Sequence, residues 1–222
     1  MIKRKNPASA RSYPLQKLPE QMSGAQIELH TLRPDAWPLF SHLPRTDQGL
    51  VITCFMLPLV PHNGFTNRGA FLKVCDQLRE EETKGLFHTK KPAARRIYAI
   101  YQPDANRFAG FLEASMPDAT CNVLAIGYRV LPQYRRKGYA REAVKLLTDK
   151  VIADNIFPCI CAETKTNDEA SPGVLLQADF VRAGRGLCST IDEPFLEVER
   201  FIKAPTIPER WPLPQAGPHP AL

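Results

Sequence analysis

Residues Val123 to Val144, VLAIGYRVLPQYRRKGYAREAV, run without a break from an apolar strand through a cationic glycine turn into an amphipathic helix. That order restricts the folds open to the chain. Pro132 stops the strand, and Ala140, Val144, Leu147 and Val151 recur at helical spacing, so a helix from about Gly138 to about Asn155 is predicted. The short apolar run Pro158 to Glu163 follows as a buried strand. Two strands joined by a helix pair in parallel, which places the class as α/β, and ligands of such sheets sit beyond the carboxyl ends of the strands. The glycine turn lies at that end.

The turn suits an anion. Backbone N–H groups of a helix's first turn have no intrahelical acceptor, and the helix dipole adds partial positive charge to them. Small residues at Gly138 and Ala140 let the main chain come close to phosphate oxygens, and Arg135, Arg136 and Lys137 offer charge-assisted contacts. Tyr139 is expected to cover the turn. A solvated basic helix start is the plainer alternative for a glycine among basic residues; the strand, loop, helix order favours a pyrophosphate cradle.

A length of 222 residues with 44% hydrophobic content allows one ordinary domain with extensions. The expected division is a flexible basic arm over residues 1–25, a single domain over 26–204 and a proline-rich tail over 205–222. Met1 to Pro19 holds Lys3, Arg4, Lys5, Arg11 and Lys17 with no acid, and six prolines fall between Pro205 and Pro220. A nucleic-acid tether or a mitochondrial presequence are sharper readings of the arm, weakened by its interspersed prolines and weak apolar face. The net charge of +6 is compatible with nucleic acid, an anionic cofactor or an acidic partner.

Six scattered cysteines, none in a C-x-x-C, are read as reduced core thiols, with no metal site. The longest apolar run, Leu50 to Val60, contains Pro58 and is about half the length that spans a bilayer, so a soluble, cytoplasmic protein without membrane association is expected.

Around the crossover, Gln26 to Leu32 alternates as a strand and Pro34-Asp35 opens a short helical stretch with Trp37 and Phe40. Ala70 to Lys84 carries Phe71, Val74, Cys75 and Leu78 on one helical face. Arg96 to Gln102 and Phe108 to Met116 form a hairpin about Pro103-Asp104-Ala105-Asn106, and Cys121 to Val130 adds a third antiparallel strand. A further helix starts near Ser171-Pro172, with Ser171 as cap, and Val181 to Thr190 with Phe195 to Lys203 closes the domain as a hairpin.

Arg135-Arg136-Lys137-Gly138-Tyr139-Ala140 resembles the R-x-x-G-x-G/A acyl-CoA signature of the GCN5-related N-acetyltransferase (GNAT) superfamily. The element order from about Gln26 to Lys203 is similar as well. Ile126-Gly127-Tyr128, and Asn167-Asp168-Glu169-Ala170-Ser171 running to Asp179-Phe180, look like the branch of ribosomal-protein N-terminal acetyltransferases. The resemblance implies a three-layer fold, with a mixed, mostly antiparallel sheet of six to seven strands and helices on both faces. It implies acetyl-CoA as acyl donor and an acceptor that is a small-molecule amine or a protein N-terminus, in a monomer or homodimer.

The resemblance also implies that the strand ending at Val130 parts from the strand after Pro158, leaving a cleft for the pantetheine arm. Val130 and Leu131 would hydrogen-bond that arm, an N–H near Arg129 or Val130 would face the thioester oxygen, and Asn167 would bond the pantetheine or the strand edge. Ser171 is the candidate for bonding the CoA sulfur, because the tyrosine many relatives use for that role is replaced here by Leu175. Ala125 stands where a catalytic glutamate is frequent, so Glu113 and Glu163 are the candidates for taking the amine's proton through water. Trp37, Phe40, His42, His62, Leu50 to Val60 and Ala183 to Glu193 are expected around the acceptor. Two other functions stay open: an acyl-CoA-binding module without turnover, and a basic nucleic-acid-binding protein.

Overall fold

A computed structural model describes residues 14–41, 68–84, 94–105, 107–116, 122–188 and 196–205. The strands are β1 (Gln21–Ser23), β2 (Glu28–Thr31), β3 (Ala94–Gln102), β4 (Arg107–Met116), β5 (Val123–Val130), β6 (Cys159–Lys165), β7 (Val181–Cys188) and β8 (Leu196–Lys203). The helices are α1 (Trp37–Ser41), α2 (Arg68–Lys84), α3 (Tyr139–Ala153) and α4 (Ser171–Gln177). One sheet of order β1-β2-β3-β4-β5-β6-β8-β7 joins all eight strands, and every neighbouring pair is antiparallel except β5 and β6. The mixed α/β class expected from the sequence is therefore present, with one strand more than the six to seven anticipated.

The extra strand is β1, and it falls where a flexible arm was expected. Residues 1–13 lie outside the described residues, but residues 14–25 are built into the fold. Pro14–Lys17 is a 3₁₀ turn that delivers Leu15 (0% exposed) and Leu18 (2%) into the core beside Tyr98 and Leu112. The buried Arg96 guanidinium pairs with Glu82 of α2 and donates to the Leu18 carbonyl, while Tyr98 Oη donates to the Pro19 carbonyl at 2.7 Å. A buried charge needs such partners, and here two of them are main-chain oxygens of the N-terminal segment.

The helices bury the predicted stripes except at Ala140, which is only partly covered while Ala143 beside it is buried. Ala143, Val144, Leu147 and Val151 of α3 are all 0% exposed, and they pack on the sheet face carrying Leu112, Leu124 and Ile160. Asn155, at φ 50°, takes the left-handed position that ends α3, and the Ile156 N–H returns to the Val151 carbonyl at 3.0 Å. Phe71, Val74, Cys75 and Leu78 of α2 pack on the opposite face against Ile97, Ala99 and Phe111. Burying a side chain of this kind is worth about 1.5–3 kcal/mol, so each helix is held by its stripe more than by helix propensity. The sheet thus has a helix layer on either face.

Candidate active site

The turn between β5 and α3 is shaped to hold an anion. Arg136 lies at φ 60° and Gly138 at φ 84°, ψ −4°. Left-handed residues close together turn successive N–H groups into one concavity, a geometry that glycine adopts without strain. Gly138 is the N-cap of α3 and supplies no side chain to its first turn, and the first intrahelical bond is Glu142 N–H to the Gly138 carbonyl at 3.0 Å. The N–H groups of Tyr139, Ala140 and Arg141 have no intrahelical acceptor.

The basic side chains of the turn differ in what they do. Arg135 Nε donates back to the Val130 carbonyl at 3.2 Å, and Lys137 Nζ lies 5.6 Å from the centre of the Tyr134 ring. Both heads are held near the turn, and Arg136 is exposed. Tyr139 does not cover the turn as expected. Its side chain is 5% exposed within the α3-side core, so only its main chain reaches an anion.

Beyond this turn the sheet splits. β5 pairs with β6 only through Val123↔Cys159, Leu124↔Ile160 and Ala125↔Cys161, while its pairing with β4 continues to Gly110↔Val130. Leu131 N–H donates to the Ala109 carbonyl at 2.9 Å, which fixes the alternation: Arg129 and Gly127 turn their main-chain polar groups to β4, and Val130 and Tyr128 turn theirs toward the gap. Of the residues expected to hydrogen-bond the pantetheine arm, Val130 turns its main-chain N–H toward the gap. Leu131 is corrected, because its N–H is spent on β4 and its side chain is buried, and Arg129 presents no free N–H to the cleft. On the far side, the Thr166 N–H bond to the Glu197 carbonyl and the β6–β8 register leave the polar groups of Cys161, Glu163 and Lys165 facing β5.

Two residues past Ala125 and Cys161, Gly127 and Glu163 therefore stand on opposite lips of the cleft, with Glu113 beside Gly127 on β4. A Cβ added at Gly127 would meet no atom within 4 Å, so the position is open. Glu113 is half-buried there. Glu163 accepts from Arg200 Nε at 2.8 Å across the strands. Cys161, at the vertex, has its thiol pushed up to about 12 by burial and by the Glu163 carboxylate, so it stays protonated and does not compete for a thioester.

At the head of α4, Ser171 is not the cap. Asp168 performs that role, accepting from Ala170 N–H at 2.9 Å, Ser171 N–H at 3.0 Å and Ser171 Oγ at 2.7 Å. Burial pushes the Asp168 carboxyl up, but the hydrogen bonds from Ser171 and Ala170 outweigh it and hold the group below its usual value. Tyr128 Oη, kept protonated by burial, donates to the Ser171 carbonyl at 3.1 Å and ties β5 to α4 across the split. Asn167 is exposed in the preceding turn, and Leu175 is fully buried. Asp168 was legible as a capping residue three positions before Ser171. Tyr128's partner, 43 positions away, was not.

Of the acceptor candidates, Trp37 packs on Phe71, with ring centres 5.5 Å apart, and acts as packing. Residues 183–188 belong to strand β7. His42, Leu50 to Val60, His62 and 189–193 lie outside the described residues, as does the side chain of Phe40.

A family model described as the acetyltransferase (GNAT) domain matches residues 65–181, more than half of the chain. The chain belongs to the GNAT acetyltransferase family. Its members are acyltransferases that take acetyl-CoA as donor, and the glycine cradle, which a Cβ at Gly138 would strain, fits the diphosphate of that donor. No curated protein matches the GNAT chain by sequence. Solved structures match by fold. A ribosomal-protein-S5-alanine acetyltransferase from Vibrio fischeri superposes with a TM-score of 0.62 at 15% identity, over 83% of this chain and 96% of that one. A ribosomal L7/L12 α-N-protein acetyltransferase in complex with coenzyme A gives 0.61 at 13%, over 84% and 97%. A microcin C7 self-immunity acetyltransferase in complex with acetyl-CoA and AMP gives 0.60 at 13%, over 82% and 93%. Among the described residues no helix is long and apolar enough to cross a membrane, and no group of side chains is arranged to hold a metal ion.

Proposed function

We propose that this GNAT domain acetylates the α-amine of a protein N-terminus by direct attack on the thioester in a ternary complex. The observation that carries the proposal is the parting of β5 from β6 after Ala125 and Cys161, with the Val130 N–H turned into the gap and the open Gly127 position at its lip. Bound acetyl-CoA supplies an activated acetyl carbon there. The amides from Gly138 to Arg141 hold its diphosphate, and the Val130 N–H is placed to donate to the carbonyl oxygen as charge develops on it. One such donor is worth about a hundredfold or more in rate. Positioning of amine and thioester contributes most of the remainder.

Proton chemistry favours an α-amine. Its reference pKa is about 7.7–8.0 against about 10.4 for lysine, so a useful fraction is neutral near pH 7 without a strong base. No carboxylate stands at Ala125, and Glu163 is tied to Arg200. Glu113, half-buried beside Gly127, takes the released proton through water. Ser171 directs its own proton to Asp168, so its oxygen is left to accept from an N–H of the bound donor, and the departing thiolate takes a proton from solvent to leave as free CoA thiol. The reduced thiols of Cys75, Cys159 and Cys161 accord with the reducing cytoplasm, where we place the chain.

Release of free CoA thiol discriminates acceptors. Peptides with an unblocked N-terminus should turn over, and the same peptides blocked at the α-amine but carrying an internal lysine should not. Turnover confined to lysine peptides or polyamines would overturn the α-amine assignment.

A further inference from the structure

The cradle at Gly138 is made of main chain, yet two side chains outside the sequence signature converge on it. A Cβ placed on Gly138 would stand 3.8 Å from Arg141 Nη2 and 3.9 Å from Gln26 Nε2. Each is held from behind. Arg141 Nη1 donates to Gln177 Oε1 of α4 at 3.3 Å. Gln26, just before β2, donates through Nε2 to Glu142 Oε2 at 3.2 Å and through its main-chain N–H to Glu142 Oε1 at 2.8 Å. Gly24 makes that approach possible, because a Cβ there would fall 2.3 Å from Glu142 Oε1.

Glu142 is the element of this arrangement that a docked anion has to be reconciled with. A carboxylate in the first turn of α3 favours the helix dipole but opposes an anion docked at the same turn. Both of its oxygens are turned outward to Gln26. The hairpin tip between β1 and β2 therefore draws the negative charge aside and brings a carboxamide to the cradle. That carboxamide has a second N–H, and the Arg141 guanidinium has five donors, of which one bond to Gln177 uses a single hydrogen. The two heads also line a groove of about 610 Å³ with Glu142, Lys145, Asp149 and Gln177.

We propose that Arg141 and Gln26 form a side-chain clamp on the diphosphate of the acyl-CoA beside Gly138. The proposal rests on the acetyl-CoA site assigned above and adds two ligands that come from outside the glycine turn, one of them more than a hundred positions away in sequence. A guanidinium binds phosphate oxygens through paired, charge-assisted bonds, and a carboxamide adds one weaker bond.

The test compares acetyl-CoA with S-acetyl-pantetheine, a donor that lacks the diphosphate. Arg141→Ala should raise the Kd for acetyl-CoA measured by calorimetry about tenfold, and Gln26→Ala about threefold. The KM for S-acetyl-pantetheine should stay at the wild-type value in both, as should the melting temperature, since both side chains lie on the surface. Wild-type acetyl-CoA affinity in both variants would overturn the clamp, as would an equal loss with S-acetyl-pantetheine. Failure of the wild-type chain itself to bind acetyl-CoA would instead overturn the site assignment, so the two failures are distinguishable.

Discussion

Replacing Leu15 by alanine tests whether the N-terminal segment is part of the domain. Leu15 is 0% exposed and Leu18 2%, both against the α3-side face of the sheet. Truncating a buried leucine costs about 2–5 kcal/mol, the transfer term plus the cavity left behind. For a domain of this size about 1 kcal/mol lowers Tm by roughly 2–4 °C, so truncating either leucine should lower it by about 4–20 °C. Deleting residues 1–19 is more severe. It removes both leucines and the Leu18 and Pro19 carbonyls that serve Arg96 and Tyr98, each unsatisfied partner adding about 1–3 kcal/mol. The sum approaches the whole stability of an ordinary domain, about 5–15 kcal/mol, so this deletion should unfold the protein or nearly so. Deleting residues 1–13 removes none of these groups and serves as the control. Thermal and urea unfolding followed by circular dichroism measure all three. A deletion of residues 1–19 that melts like the full chain would refute the reasoning.

Gly110→Ala would place a Cβ 2.2 Å from the Arg129 carbonyl oxygen, and main chain cannot yield as a side chain does. The β4–β5 ladder must open there, so this variant should lose at least about 2 kcal/mol in urea unfolding, more than an exposed strand substitution. Gly138→Asp should abolish acetyl-CoA binding by setting a carboxylate and a strained φ of 84° in the cradle, and an unchanged Kd would contradict the assigned site. Asp168 has a folded pKa below its unfolded one, so its contribution at the head of α4 is complete above the ordinary aspartate range near about 3.9 and is lost as pH falls through the lowered value. Amide exchange at residues 170–174 should quicken in that acid window in the wild type and show no such step in Asp168→Asn.

Several elements were legible because their signals are local. The hairpin β3–β4 follows from alternating strands about Pro103-Asp104-Ala105, and α2 and α3 follow from apolar stripes at period 3.6. The anion cradle was legible too, since it depends on one glycine, its flanking charges and the start of one helix. Proline content and unbroken basic charge hid the role of residues 14–25. The cue that mattered there, two leucines three apart, is too short to register as a period.

Taken alone, the sequence determined the class, the crossover and the glycine turn that opens α3, because those depend on residues within about twenty positions of one another. Only the tertiary structure decided which groups stand beside that place. Strand alternation, fixed by a single bond from Leu131 to Ala109, sent the Val130 N–H into the cleft and the Leu131 N–H away from it. Asp168 rather than Ser171 caps α4, Glu163 is claimed by Arg200, and Gln26 reaches Glu142 across the fold. Each of these outcomes is a competition for one hydrogen bond among groups that meet only once the sheet has closed, and no local pattern in the chain ranks the competitors.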